Sequence, residues 1–318
     1  MQDLPAHEAM GAKETAGCHL ANSLKNLCEE IEMAILEGQN QGVSPQRDQE
    51  TQKQSQEQVQ LLERMGRIKH KILVLSGKGG VGKSTVAVNL ACSLAAAGKN
   101  VGLLDVDIHG PSIPTLLNLT GNLLPGTGEG LLPVEFDNRL KVISIGFLLR
   151  DPDDAVIWRG PMKGKMIKQF IEDVEWGDLD FLIVDSPPGT GDEPLSVVQL
   201  LEDADGAIIV TTPQQVAISD VRKAITFCRQ VDLPILGVLE NMSGFVCPHC
   251  GKGVDIFNWG GGETMALDMK VPFLGRIPIN PDIVRAGDDG TPFIHAYSDS
   301  EAARVFGKVI DSLLQCLE

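Results

Sequence analysis

The sequence is long and strongly acidic. It has 318 residues, and 43 aspartates and glutamates against 27 lysines and arginines give a formal net charge of −16 at pH 7. This length holds one large domain, or one domain with an appendage, around an ample core. An acidic surface disfavours non-specific binding of nucleic acid or anionic lipid, so neither nucleic acid nor a membrane is expected as a partner.

The seven cysteines are scattered along the chain, and only two of them stand in a C-x-x-C pair. An odd, scattered set is typical of reduced thiols or metal ligands rather than of a disulfide framework. The start of the sequence, Met1–Pro5, lacks the charged-then-apolar order of a signal peptide. No apolar run approaches the ~20 residues that cross a bilayer. We therefore expect a cytoplasmic protein.

The N-terminal part of the chain is expected to stand apart from the packed domain. Residues 1–37 are interpreted as a tail followed by a short helical extension, which carries Cys18 and Cys28. On one continuous helix these cysteines would lie ~15 Å apart and about 80° round the axis, so they could not share a metal there. Residues 38–67, rich in glutamine, form a polar linker, and the packed domain is predicted to span residues 68–318.

From residue 68 onward, apolar runs of strand length alternate with helical patterns. This alternation predicts an α/β fold: a doubly wound, mostly parallel sheet flanked by helices. In such sheets ligands bind at the carboxyl ends of the strands. The predicted strands are 71–76, 100–105, 141–146, 180–185, 206–211, 234–239 and 271–276, and the predicted helices are 84–97, 163–174, 215–230, 262–269 and 299–317.

The stretch after the first predicted strand matches the phosphate-binding pattern G-x-x-x-x-G-K-[ST], with Gly77, Gly82, Lys83 and Ser84 at the fixed positions. A strand precedes it and a helix follows, which is the context that this motif requires. The glycines let backbone N–H groups turn inward, and with the helix N-terminus they form an anion cradle. Lys83 would bind the outer phosphates, and the Ser84 hydroxyl would ligate Mg²⁺. The chain is therefore expected to bind a nucleoside phosphate.

Lys78 is unusual because it adds a second cation to the same loop. Two ammonium groups so close repel each other unless anions lie between them. The alternative is a solvated surface lysine.

Acidic residues follow two further predicted strands. Asp105 and Asp107 are spaced by two, so they would face the same side, one acting on a metal shell and the other orienting the attacking water. Asp185 ends an apolar strand, which is the pattern of an acid that holds Mg²⁺ through water. The glycines of Pro187–Asp192 permit a backbone N–H to swing onto a terminal phosphate. These features favour hydrolysis of the nucleotide over binding alone.

Cys247 and Cys250 form the C-x-x-C pair, in a loop after a predicted strand. Two thiolates at this spacing chelate a soft metal as half of a zinc or iron–sulfur site. A closed site needs four ligands, and three completions stay open. They are the same pair from a second subunit, Cys18 with Cys28, or His249, which would have to fold back. The spacing also suits a redox pair or two ordinary loop thiols, although the Gly-rich surroundings fit a redox motif poorly.

Several long stretches match one family in order. The loop Ser76–Thr85 resembles the deviant Walker-A loop of the MinD/ParA-type ATPases, and within that group the chain resembles the Mrp-type (ApbC/Nbp-like) iron–sulfur cluster carrier proteins. The likeness covers about residues 68–318. The other stretches that carry it are Asp105–Pro114 (DVDIHGPSIP), Trp158–Lys163 (WRGPMK), Asp180–Glu193 (DFLIVDSPPGTGDE), Glu240–Gly251 (ENMSGFVCPHCG), Gly260–Glu263 and Val271–Pro278 (VPFLGRIP).

The resemblance implies an ATPase that acts as a homodimer, assembles a [4Fe–4S] cluster between its subunits and passes the cluster to apo iron–sulfur proteins. ATP and Mg²⁺ are the other cofactors that it implies. The longer eukaryotic members carry four cysteines in a ferredoxin-like run at the N-terminus, whereas this chain has only Cys18 and Cys28 there. Two competing functions are a MinD/ParA-like positioning ATPase that binds DNA or membrane, and a zinc-stapled, ATP-dependent adaptor.

The resemblance also implies roles for single residues. Lys78 would reach the phosphates of the partner subunit, Asp107 would orient the hydrolytic water, and Asn241 would touch adenine. Cys247 and Cys250 would bridge the subunits through the cluster. The implied catalytic residues are Lys78, Lys83 and Asp107; the Mg²⁺ ligands are Ser84 and Asp185; and the remaining nucleotide contacts come from Gly77, Gly79, Gly80, Val81, Gly82 and Thr85.

Overall fold

The computed structural model describes residues 59, 61–108, 110–122, 126–127, 130–148, 160–201, 203–247 and 249–317. The predicted N-terminal helix with Cys18 and Cys28 lies outside the described residues, as do residues 38–58 and 60 of the predicted linker. A compact unit begins at Glu63 and runs to the end of the chain. Within the described ranges, no helix is both long and apolar enough to span a bilayer.

Strands and helices alternate along this unit. The strands are β1 (Ile68–Ser76), β2 (Val101–Asp105), β3 (Gly126–Thr127), β4 (Gly130–Leu131), β5 (Val134–Asp137), β6 (Leu140–Ser144), β7 (Leu179–Asp185), β8 (Gly206–Thr211), β9 (Ile235–Glu240), β10 (Phe245–Val246), β11 (Gly253–Val254) and β12 (Phe273–Arg276). The helices are α1 (Lys83–Ala96), α2 (Ile113–Leu116), α3 (Gly160–Glu172), α4 (Asp192–Leu200), α5 (Gln215–Gln230), α6 (Gly261–Met269), α7 (Pro281–Asp288), α8 (Phe293–Ala296) and α9 (Glu301–Leu317).

Eight strands form one sheet in the order β12-β9-β8-β1-β7-β2-β6-β5. All neighbouring pairs are parallel except β5 with β6 at the edge. The predicted fold class, a mostly parallel α/β sheet flanked by helices, is confirmed. Parallel strands bury both faces, and the central strands β2, β7 and β8 accordingly consist almost entirely of buried residues.

All seven predicted strands and all five predicted helices are present, with ends that differ by at most three residues. The pattern did not predict the short elements, which are the helices α2, α4, α7 and α8 and the strands β3, β4, β5, β10 and β11. These pieces are two to nine residues long, and apolar periodicity is weak over such lengths.

The parallel arrangement brings the carboxyl ends of β1, β2, β7 and β9 to one edge of the sheet. Aligned pairs in the sheet include Asp105 with Asp185, on β2 and β7, and Val74 with Asp185, on β1 and β7. The chain beyond each of these strand ends is where the polar residues of the sequence motifs occur. A ligand site is therefore expected at this edge of the sheet.

Candidate functional site

The phosphate loop joins β1 to α1. Gly80 and Gly82 have φ angles of 78° and 82°, a left-handed region that suits glycine and lets the loop turn its N–H groups inward. Gly77 is needed for a different reason, since a Cβ on it would lie 2.4 Å from the backbone carbon of Asp220 in α5. The loop is thus pressed against α5 on one side and opens α1 on the other, with Gly82 as the cap of that helix.

Lys83 is buried at the start of α1 and is paired with two of the acids. Its Nζ lies 2.7 Å from Asp185 Oδ1 and 3.2 Å from Asp107 Oδ2. Burial alone would lower the pKa of this ammonium, but Asp185 and Asp107 outweigh that effect, so the pKa is raised. The structure therefore brings together the lysine of the loop and the acids of two neighbouring strand ends.

Asp105 is fully buried and differs in character from Asp107. Burial and the nearby charge of Asp185 raise the pKa of Asp105 to about 8. Its Oδ2 accepts a hydrogen bond from the Ser144 hydroxyl at 2.8 Å, and its Oδ1 accepts one from the Asp107 N–H at 3.1 Å. Asp105 therefore fixes the backbone at Asp107, while Asp107 itself reaches Lys83.

Asp185 has one carboxylate oxygen that remains available. Burial raises its pKa, while Lys83 and the Ser84 hydroxyl act in the opposite direction. Its Oδ1 accepts from Lys83, but its Oδ2 is buried without a hydrogen-bond partner among the described residues. An orphaned carboxylate oxygen beside a hydroxyl of the phosphate loop is a donor set that fits Mg²⁺ and its water shell.

Lys78 lies within the phosphate loop, and Asn241 contacts the loop from the end of β9. The Ser76 hydroxyl donates to the Lys78 carbonyl at 3.0 Å, and no ion pair joins the Lys78 ammonium to any residue in the described ranges. The Asn241 Nδ2 donates to the Val81 carbonyl at 2.9 Å. Asn241 thus contacts the backbone of the loop directly. Thr85 lies in the first turn of α1, where its carbonyl accepts from Asn89.

The glycine-rich stretch after Asp185 is tied to β1. The Ser186 N–H donates to the Val74 carbonyl, and the Gly189 N–H donates to the Ser76 carbonyl at 2.8 Å. The stretch therefore lies alongside the phosphate loop before α4 begins at Asp192.

Two polar residues of this edge were missed from the sequence. Ser144 ends β6 and donates to Asp105, and Glu240 ends β9 in a fully buried position. In both cases the signal was available, because each is a polar residue at the carboxyl end of an apolar strand.

The cysteine hairpin, defined here as residues 243–259, contains the C-x-x-C pair. The short antiparallel strands β10 and β11 close it, and the Cys247 N–H donates to the Lys252 carbonyl at 3.0 Å. Backbone N–H groups of Cys250 and His249 hydrogen-bond to the Cys247 sulfur and lower the pKa of its thiol. A thiolate is the form that ligates metal.

The two cysteines are accessible and have no further ligand nearby in the described chain. Cys247 is partly exposed and Cys250 is exposed. No group of three or more histidine, cysteine, aspartate or glutamate side chains in the described ranges could hold a metal ion. The described structure thus shows no such group of His249 with the two cysteines, while Cys18 and Cys28 lie outside the described residues.

The parallel sheet, the strand–loop–helix cradle with its buried lysine, and the two strand-end acids define a P-loop NTPase. Comparison with known families supports a narrower assignment. The family model described as ParA, NUBPL iron-transfer P-loop NTPase, matches residues 67–314. The chain belongs to this family, and the resemblance found in the sequence is confirmed.

Similar proteins agree with this assignment. The chain is 53% identical over 250 residues to a cytosolic Fe-S cluster assembly factor NUBP2 homolog from Nematostella vectensis, covering 77% of this chain and 93% of that protein. It is 49% identical over 265 residues to an iron-sulfur cluster carrier protein from Methanocaldococcus jannaschii, covering 83% and 90%. The predicted cytoplasmic location agrees with the word cytosolic in the first name.

A solved structure of a nucleotide-binding protein from Archaeoglobus fulgidus, determined in complex with ADP, has the same fold. The two chains are 42% identical, with a TM-score of 0.66, and the match covers 74% of this chain and 92% of that one. The ADP complex of this similar protein supports nucleotide binding, and the family model supports membership of an iron-transfer family.

Proposed function

We propose that this protein is an ATP-dependent iron–sulfur cluster carrier that assembles a [4Fe–4S] cluster between two identical subunits and transfers it to apo iron–sulfur proteins. The ATPase domain of this proposal spans residues 68–318, and residues 1–37 and 38–67 form an N-terminal arm and its linker. The cluster is the cargo of the reaction.

The observation that carries the proposal is the incomplete thiol pair on an NTPase domain of an iron-transfer family. Cys247 and Cys250 supply two thiols, one of them with a lowered pKa, and the described chain offers no further ligand beside them. An iron–sulfur cluster of the [4Fe–4S] type takes four thiolates. A two-fold axis at the hairpin supplies the second pair, since symmetry doubles any surface feature.

The nucleotide chemistry follows from the buried acids and lysines. Lys83 supplies positive charge to the outer phosphates, and Asp107, which already reaches Lys83, orients the attacking water. The backbone N–H groups of Gly77 to Thr85 cradle the phosphates. Asn241 holds the loop through Val81 and presents the rest of its amide to adenine.

Ser84 and Asp185 are the residues that would hold Mg²⁺, through the Ser84 hydroxyl and the unpartnered Asp185 Oδ2. When bound, the ion neutralises charge on the phosphates.

Lys78 gives a second reason for a dimer. A cation in a phosphate loop that already contains Lys83 gains most from the phosphates of another subunit, because its own loop is already served by Lys83. The same two-fold axis would satisfy Lys78 and the cysteine pair.

Anaerobic reconstitution tests the cargo. Purified full-length protein is mixed with ferrous iron and sulfide, desalted, and its absorption spectrum and its iron and sulfide content are measured. We expect a broad visible charge-transfer band in wild type, and we expect Cys247→Ser and Cys250→Ser to lose it. Cys316→Ser, which changes an exposed cysteine of α9, is the matched control and should load like wild type.

Zinc without iron or sulfide in anaerobically purified protein would favour the adaptor instead. A cluster signal that is indifferent to Cys247→Ser would contradict the proposed site.

A further inference from the structure

Glu240 is a fully buried carboxylate at the end of β9 that the nucleotide chemistry does not use. A buried carboxylate is stable only where donors or cations surround it. Its Oε1 accepts from the Ser243 hydroxyl and, at 2.8 Å, from the Gly260 N–H, and its Oε2 accepts from the Gly262 N–H. The Arg276 Nε lies 3.8 Å from Oε1. Glu240 is thus the centre of a buried polar cluster.

The donors come from both ends of the cysteine hairpin. Ser243 begins its outgoing leg, and Gly260 directly follows its returning leg. Gly262 lies in the first turn of α6, so the carboxylate also sits at the N-terminus of that helix, where negative charge is favourable. The two legs are additionally joined by a hydrogen bond from the Gly244 N–H to the Asn258 carbonyl. A single side chain therefore fixes both legs relative to β9.

Arg276 extends this cluster along the returning leg. Its guanidinium lies over the ring of Trp259, 5.0 Å from the centroid, and it also donates to Glu263. Trp259 is 60% exposed, so it is held mainly by this cation–π contact rather than by burial.

Asn241, the residue directly after Glu240, connects the end of β9 to the nucleotide site. The Asn241 N–H donates to the Thr211 carbonyl at 2.7 Å, and its side chain donates to the Val81 carbonyl of the phosphate loop. The Asn241 side chain packs directly against the phosphate loop, because a Cβ on Gly82 would lie 2.2 Å from Asn241 Nδ2. Asn241, which contacts the phosphate loop, and Glu240, which binds both legs of the cysteine hairpin, are thus adjacent in the chain.

We propose that Glu240 is a positioning residue that couples the cysteine hairpin to the phosphate loop, so that nucleotide bound at the loop changes the accessibility of Cys247 and Cys250. Control of the cluster by this coupling rests on the proposed function. The change in accessibility of the two thiols rests only on the contacts of Glu240 and Asn241.

Thiol alkylation in metal-free, reduced, full-length protein measures this coupling. The protein is treated with iodoacetamide, with and without Mg²⁺ and a saturating non-hydrolysable ATP analogue, and the rate at each cysteine is read by mass spectrometry of its peptide. We expect nucleotide to change the rates at Cys247 and Cys250 roughly fivefold or more, the low end of typical coupling between sites. Cys316, exposed on α9, is the internal reference and should not respond.

Glu240→Gln keeps the size of the side chain but removes its charge and one of its two acceptors. We expect this variant to bind the analogue like wild type in equilibrium binding, while the nucleotide-dependent ratio at the two thiols falls to within about twofold of unity. Glu263→Gln is the matched control, because it removes an exposed carboxylate that contacts the same Arg276 but neither leg of the hairpin. It should keep the wild-type ratio.

Unresponsive thiols in wild type, or a full response in Glu240→Gln, would overturn the inference. If Glu240→Gln does not fold, Ser243→Ala decides, since it removes one donor from the outgoing leg only; an unchanged ratio there counts against the coupling. Because no metal is present, failure to assemble a cluster contradicts the proposed function and leaves this result intact. Loss of the thiol response with normal cluster assembly contradicts the inference alone.

Discussion

At the scale of single residues, the buried charges around Lys83 govern the nucleotide site. One ammonium faces Asp185 at 2.7 Å and Asp107 at 3.2 Å, within an edge of the sheet from which water is largely excluded. Asp105 does not add a full third negative charge near neutral pH, because its pKa is about 8. The phosphates of a nucleotide must therefore compete with two carboxylates for Lys83, and this competition explains why positive charge from Mg²⁺ would favour binding.

The raised pKa of Asp105 predicts a pH dependence of stability. The folded value of about 8 lies above the ordinary value of 3.8, so the folded state holds the proton more tightly. The contribution of protonated Asp105 to the free energy of unfolding is therefore complete below about pH 3.8 and is lost as pH rises through about 8. Compared with Asp105→Asn, wild type should lose up to about 1.4 kcal/mol of unfolding free energy per pH unit within that window. Urea unfolding of both proteins across the window measures this.

Ser144→Ala provides the companion variant, because the Ser144 hydroxyl donates to Asp105 Oδ2 and favours its ionised form. The free energy of unfolding of this variant should still depend on pH, and the upper end of the window should move to higher pH. A difference between wild type and Asp105→Asn that stays constant with pH would show that Asp105 is ionised throughout.

Two glycines of the phosphate loop should respond differently to alanine. A Cβ on Gly77 would lie 2.4 Å from the backbone carbon of Asp220, whereas a Cβ on Gly79 would meet nothing within 4 Å. Gly77→Ala should therefore lower the free energy of unfolding by about 1–3 kcal/mol, and Gly79→Ala should change it by less than about 0.5 kcal/mol. Urea unfolding of nucleotide-free protein distinguishes them, and equal effects would mean that Gly77 is not pressed against α5.

At the scale of elements, α9 shows how the end of the chain closes the core. The helix packs against α1 and β12 through one apolar stripe. Its buried residues are Ala302, Phe306, Val309, Ile310 and Leu313. Because α1 is buried on nearly every face, a loss of packing at α9 is felt by the helix that begins at the phosphate loop.

Phe306→Ala should therefore be strongly destabilising. Phe306 is 1% exposed, and truncating a buried phenylalanine typically costs about 3–5 kcal/mol through lost burial and the cavity left behind. Asp311→Ala, an exposed position on the same helix, is the control and should cost less than about 0.5 kcal/mol. Thermal unfolding of the two variants makes the comparison, and a mild effect of Phe306→Ala would show that α9 contributes little to the core.

The elements also show how far the sequence predicts this structure. Long apolar strands and the α1 and α5 helices were predicted within a few residues, because burial imposes their pattern directly. The position of the phosphate loop followed from its motif. The role of Glu240 did not, because its partners Ser243, Gly260 and Arg276 come from three separate places in the chain. Such a cluster exists only once the sheet is assembled.

At the scale of the whole molecule, two features of this chain are incomplete. The cysteine pair has no third ligand among the described residues, and Lys78 has no ion pair there. The proposed two-fold axis satisfies both. An acidic molecule with a net charge of −16 also repels its own copies, so association would need a local attraction such as the one between Lys78 and the phosphates of the partner subunit.

Lys78→Ala should accordingly weaken ATP-dependent association. We expect the variant to bind nucleotide but to hydrolyse ATP at least about tenfold more slowly, the size of effect seen when a charge that stabilises phosphoryl transfer is lost. Light scattering with and without ATP should show less dimer than in wild type. Lys308→Ala, which removes an exposed lysine from α9, should behave like wild type. Unchanged association in Lys78→Ala would place that lysine outside the interface.

Native mass spectrometry of the anaerobically reconstituted full-length protein tests the central claim most directly. We predict a species of two chains with one [4Fe–4S] cluster, hence about two iron atoms per chain. Cys247→Ser should lose both the cluster and the dimer that depends on it. A monomer that carries its own complete metal site, or a dimer whose iron content is unchanged in Cys247→Ser, would show that the two subunits do not share a cluster through Cys247.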